Sequence, residues 1–152
     1  MHIVSHFAFE PIDSAASGQS RNCLIDFLPN TMLPPTTALK VQQNVLMLTV
    51  EGRVSFRRTL RILQETFERA HENEVRKVLI NWLGAVSPFS TIERYNLGSE
   101  TAKYVRRRGM VLHVALVGVP PAVDGFGALV ARNQGLYISV FPTVEEGLDW
   151  LK

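Results

Sequence analysis

A chain of 152 residues, 46% apolar and 20% charged, has room for one domain with a real core and is too apolar to be disordered. A formal charge of +2, with no Lys/Arg block set beside aromatics, leaves no electrostatic footprint for nucleic acid. The single Cys23 excludes an internal disulfide, and no apolar run reaches the roughly 18 residues that a membrane-spanning helix needs.

Residues 1–36 read as an N-terminal extension and residues 37–152 as the domain proper. The extension holds a turn-like piece, Ser14-Ala15-Ala16-Ser17-Gly18-Gln19-Ser20, and ends in the linker chemistry of Leu33-Pro34-Pro35. Its apolar runs at 3–9 and 23–28 suit edge strands or packing onto a neighbour. His2 and His6 have no further ligands nearby, so no metal site is expected. A secretory signal would need a cationic start and an apolar core, which are missing here. The expected location is cytoplasmic.

From Ala38 the pattern becomes regular. Residues 38–42 and 45–51 read as strands around the hairpin turn Gln43-Asn44. Ser55 can cap a helix whose apolar stripe is Phe56, Leu60, Leu63, Phe67 and Ala70. Val78-Leu79-Ile80 is the short apolar run of a strand buried on both faces. A loop with Trp82, Gly84, Pro88 and Phe89 follows. Ser90-Thr91-Ile92-Glu93 is then a capping-box pattern opening a helix to about Arg108. Tyr95, Gly98, Ala102 and Val105 share one face of that helix. Leu97 and Tyr104 lie on another and suggest a self-association patch, hence a possible homodimer formed by helix faces or the N-terminal arm.

The run Arg106-Arg107-Arg108 suits a helix C-terminus, where cations meet the dipole, and Gly109 stops the helix. Residues 110–118 are the most apolar stretch and read as a second buried strand, with His113 a core or sheet-edge histidine. After Val119-Pro120-Pro121-Ala122-Val123, Asp124 can cap a short helix with a stripe of Phe126, Leu129, Val130 and Asn133, closed by Gly135. Residues 137–141 make a last strand. Thr143-Val144-Glu145-Glu146 caps a final helix that turns Val144, Leu148 and Leu151 inward. The order is strand-strand-helix-strand-helix-strand-helix-strand-helix. This is an α/β fold with a mostly parallel sheet flanked by helices.

Open α/β sheets work at the carboxyl ends of their strands. The candidate partner-binding residues are therefore Trp82, Ser87, Pro88 and Phe89 after one central strand, with Pro121 and Asp124 after the other. Catalytic equipment is not expected. There is no phosphate loop of the GxxxxGK type and no G-x-S-x-G, and Gly125-Phe126-Gly127 is too short for a dinucleotide fingerprint. Asn81 stands where an acidic phospho-acceptor site would want a carboxylate. No cofactor is expected.

Gly52, Val78-Leu79-Ile80, Ser90-Thr91, Phe126-Gly127, Ala131-Arg132-Asn133-Gln134-Gly135, Phe141 and Leu148-Asp149-Trp150-Leu151 together resemble the STAS-like branch. That branch is similar to the sporulation anti-sigma-factor antagonist, and its members are often described as STAS/SEC14-like. The resemblance covers about 38–152. It implies a non-enzymatic regulatory module with a protein partner. In antagonist-type members a kinase phosphorylates a Ser within Asp-Ser-Ser-Gly at the start of the helix after the central strand. Thr91 falls at that place with Ser90 just before it, so both are phosphorylation candidates. Phe89 replaces the Asp and Ile92 the Gly. The SEC14-like label implies an alternative, binding of a lipid or a small apolar ligand beneath the 82–89 loop.

Overall fold

The structure is a computed structural model and describes residues 36–152. The edge strands, the histidine pair, Cys23 and the N-terminal arm expected within 1–35 lie outside the described residues. Strand β1 (Thr36–Gln42) and strand β2 (Val45–Arg53) form an antiparallel hairpin. Gln43 and Asn44 both have positive φ, 53° and 65°, which is the turn whose twist matches the flanking strands. Helix α1 (Phe56–Glu72), strand β3 (Lys77–Val86), helix α2 (Thr91–Arg107), strand β4 (His113–Val117), helix α3 (Phe126–Asn133), strand β5 (Tyr137–Phe141) and helix α4 (Val144–Leu151) follow.

The sheet order is β1-β2-β3-β4-β5, and every pair beyond the hairpin is parallel. Each crossover steps one strand in the same direction. Crossovers of one hand then place α1, α2 and α3 on one face, leaving the other to α4. The core divides accordingly. Leu46, Leu48, Val50, Val78, Ile80 and Val114 pack beneath the first three helices. Val45, Leu79, Ala115, Val117 and Leu151 pack with α4. Strand β3 is covered on both sides, which is why its run is apolar without alternation.

Strand β3 is longer than its apolar run suggests. Residues 82–86 are strand, not loop, because Glu51–Arg53 pair with Gly84–Val86 after a register shift between Thr49 and Glu51. Gly84, read as a loop signal, lies directly against Glu51, where a Cβ would come 3.0 Å from Glu51 Cγ. Strand β4 begins only at His113, although Met110 and Leu112 before it are buried.

Helix faces also differ from the expected stripes. Helix α1 buries Thr59, Ile62, Leu63, Thr66, Phe67 and Ala70, with Phe56 half-exposed. Helix α3 buries Ala128, Val130 and Ala131 and leaves Leu129 and Asn133 outside. Small residues face inward there because α2 and α3 touch through backbone: a Cβ on Gly98 would sit 2.2 Å from the Gly127 carbonyl oxygen. On α2, Leu97 and Tyr104 are half-buried and pack against the core, while Tyr95 is exposed.

The Tyr104 hydroxyl and the Arg108 guanidinium both donate to the Glu68 carboxylate, Arg108 Nη2 at 2.9 Å, and so clamp α1 to α2. The Arg108 hydrogen bond first, and then that from Tyr104, hold the Glu68 carboxyl at about 2, below its ordinary 4.5. A lowered carboxylate pKa stabilises the fold fully above the ordinary value and loses that contribution as pH falls through the lowered one. Arg108 is half-exposed, so screening limits the effect. Glu68→Gln is therefore expected to cost less than about 1 kcal/mol at neutral pH. Urea midpoints of wild type and variant should converge as pH falls from 4.5 towards 2; a gap that persists unchanged to the acid end contradicts the clamp.

Candidate functional site

Two loops meet at the carboxyl end of the parallel strands, residues 87–90 after β3 and 118–125 after β4. The first is folded tightly onto the end of its strand. Trp82 Nε1 donates to Ser87 Oγ at 3.0 Å, and Phe89 N donates to the Ser87 carbonyl at 2.8 Å. Ser90 then caps α2 in a complete capping box: its Oγ accepts from Glu93 N at 3.2 Å, and Glu93 Oε1 accepts from Ser90 N at 3.0 Å. Thr91 is the first helical residue and is exposed, as is Ser90.

The second loop is attached to the first by one side chain. Arg94 Nε donates to the Phe89 carbonyl at 3.2 Å, Nη1 to the Ala122 carbonyl at 3.2 Å and Nη2 to the Pro121 carbonyl at 3.0 Å. Its Nη1 also lies 3.4 Å from Asp124 Oδ1. A guanidinium is suited to this because its donors form a rigid planar fork, and it stays charged when most of its surface is covered. Only 16% of the Arg94 side chain is exposed. Asp124 does not take the N-cap of α3, a place held by Gly125 in the left-handed region at φ 88°. It precedes the cap and accepts from Phe126 N at 3.0 Å.

The expected partner-binding residues separate into frame and rim. Trp82 and Ser87 are 5% and 3% exposed, so they cannot meet a partner in this state. This corrects their placement on an open loop. The cause is the extension of β3, which carries Trp82 into the core. Removing that indole would open a cavity at a cost of about 3–5 kcal/mol. Pro88, Pro121 and Asp124 are exposed, while Phe89 is half-buried with its ring edge-on to Phe56 at 6.3 Å. Sequence reasoning missed Arg94, and also Ile92 and Tyr95, 64% and 44% exposed one turn apart on α2. Arg94 did leave a signal: a cation close after a helix start opposes the dipole and needs specific acceptors to be held there.

Between this rim and the sheet lies a cavity of about 100 Å³. Its walls are mostly apolar, and they include Trp82, Leu97 and Ala122. Ligand pockets usually enclose roughly 300–1,000 Å³, so this space is small beside them. His113 opens β4 while Asp124 follows its far end, so the strand separates the two residues. No cluster of metal-ligating side chains occurs among the described residues, and none of the described helices is long and apolar enough to cross a membrane.

No known family model and no curated protein matches the sequence. Solved structures do match the fold. An anti-sigma factor antagonist from Mycobacterium paratuberculosis aligns at a TM-score of 0.55 and 15% identity, covering 78% of this chain and 94% of that one. An uncharacterised protein with a SpoIIAA-like fold from Shewanella loihica aligns at 0.48 and 14%, covering 78% and 94%. The Bacillus cell fate determinant SpoIIAA in its phosphorylated form aligns at 0.45 and 14%, covering 77% and 100%. The fold is STAS-like, as the element order and the first of these structures show.

Arg94→Ala removes donors to three carbonyls at once and is expected to cost roughly 1–3 kcal/mol, the range for hydrogen bonds to a charged group. Arg94→Lys should recover less than half of that, because an ammonium cannot fork across three acceptors. Urea unfolding of both variants measures it. A lysine variant as stable as wild type would mean that charge alone matters.

Proposed function

We propose that the chain is a non-enzymatic regulatory module of the anti-sigma-factor-antagonist type, which docks a protein partner at the carboxyl rim of its parallel sheet. The observation that carries this reading is the Arg94 junction. It joins the loops after β3 and β4 into one frame, and around that frame Ile92, Tyr95, Val119 and Pro121 stand exposed. Apolar side chains presented by a rigid frame lose little conformational freedom on docking, which favours a protein interface. The fold shared with an anti-sigma factor antagonist supports the same class. Pro88, Phe89 and Asp124 belong to this surface.

Modulation by phosphorylation is part of the proposal, and Thr91 suits it better than Ser90. The Ser90 hydroxyl already serves the capping box, and the Glu93 carboxylate lies against the Ser90 amide. A phosphate on Ser90 would set two negative groups together and break the box. Thr91 is exposed in the first turn, where free backbone amides and the helix dipole favour an anion.

Ile92→Glu and Tyr95→Glu alter exposed positions and should leave stability within about 0.5 kcal/mol. In calorimetric titration against the cognate partner each is expected to weaken binding by about tenfold or more. Phosphate recovered on the chain from its native cells should map to Thr91. Unchanged affinity in both variants would remove the rim as the docking surface.

A further inference from the structure

We propose that the cavity between the sheet and helices α1, α2 and α3 is a binding site for one compact uncharged molecule, a small alcohol or ketone. Two buried hydroxyls carry the inference. Thr59 on α1 and Thr101 on α2 both line the cavity, at 1% and 6% exposure. Neither Oγ1 has a hydrogen-bond partner among the described residues. Thr66, two turns along α1, shows the usual solution for a buried helical threonine: its hydroxyl donates to the Ile62 carbonyl at 2.8 Å. Thr59 and Thr101 leave that local bond unmade and keep the full desolvation penalty of a buried hydroxyl. Two such groups, from different helices on one cavity, are matched together by a ligand that offers a polar atom.

The remaining walls decide what the ligand's other end is. Leu63, Phe67, Ile80 and Ile138 are apolar and buried, so the body of the molecule is apolar as well. A volume of about 100 Å³ takes several waters, each wanting about three hydrogen bonds. Two unmatched hydroxyls hold that many waters poorly. A charged ligand is disfavoured too, since the charged groups of the lining, Arg94 and Asp124, already face each other at 3.4 Å. Phe89 and Asp124 carry the lining out to the rim, so the site is reached from the surface described above.

Methyl NMR of the full chain tests this with 2-butanol and xenon as separate probes. The expected result is saturable shifts with 2-butanol, confined to methyls of residues such as Leu63, Ile80, Thr101 and Ala128. Thr59→Val with Thr101→Val should weaken 2-butanol about tenfold while xenon still enters, because only the hydrogen bonds are gone. Thr101→Val alone gives a smaller change of the same sign if the double variant folds poorly. Ala128→Leu fills the space and should exclude both probes. Ile92→Glu should bind 2-butanol as wild type does, which separates this site from partner docking. Shifts that stay linear in 2-butanol and spread over the surface would overturn the proposal. So would an Ala128→Leu variant that binds like wild type, or water contacts at Thr59 and Thr101 that no concentration of 2-butanol displaces.

Discussion

One guanidinium sets the geometry at the carboxyl end of the parallel sheet. The loops after β3 and β4 contain Pro88, Pro120 and Pro121, which donate no backbone hydrogen bond. The second loop holds itself with few backbone bonds, such as Val123 N to the Val119 carbonyl at 3.0 Å and Gly118 N to the Phe141 carbonyl at 3.0 Å. Arg94 supplies the cross-link between the two by donating to the carbonyls of Phe89, Pro121 and Ala122. A single helical residue thus converts two separate loops into one surface with fixed spacing.

The scaffold explains why Arg94 can reach. Helix α2 approaches α3 until Gly98 meets the Gly127 carbonyl, and this brings the start of α2 over the loop that precedes α3. Close backbone contact goes with small buried side chains at the crossing, Ala102 on α2 and Ala128 and Ala131 on α3. The cavity lies against this crossing, since Gly98, Gly127, Ala128 and Ala131 are in its lining. The doubly covered β3 and the α4 face carry much of the buried core, while the carboxyl end of the sheet keeps exposed apolar groups.

Much of this was legible in the residues. Period-two and period-three-to-four patterns identified the element order, because each element buries a face or stripe and its sequence must say which. Caps at Ser55, Ser90 and Thr143 and the stop at Gly109 followed from local hydrogen-bond needs, and all appear in the structure. What was not legible depended on partners distant in sequence. Trp82 to Val86 form strand because Glu51–Arg53 lie beside them, and nothing local to Gly84 announces that. The inward face of α3 is small because of Gly98, about 30 residues earlier, so a stripe scored on hydrophobicity pointed to Leu129 instead. The role of Arg94 rests on carbonyls, which every residue has and no sequence advertises.

Amide hydrogen exchange in wild type and Arg94→Lys is the most direct measurement of the cross-link. If one guanidinium holds both loops, the Phe89 and Val123 amides should lose protection together in the variant, while the β3–β4 ladder from Lys77 to Asn81 keeps its own. Loss of protection in one loop alone, or in neither, would contradict the account.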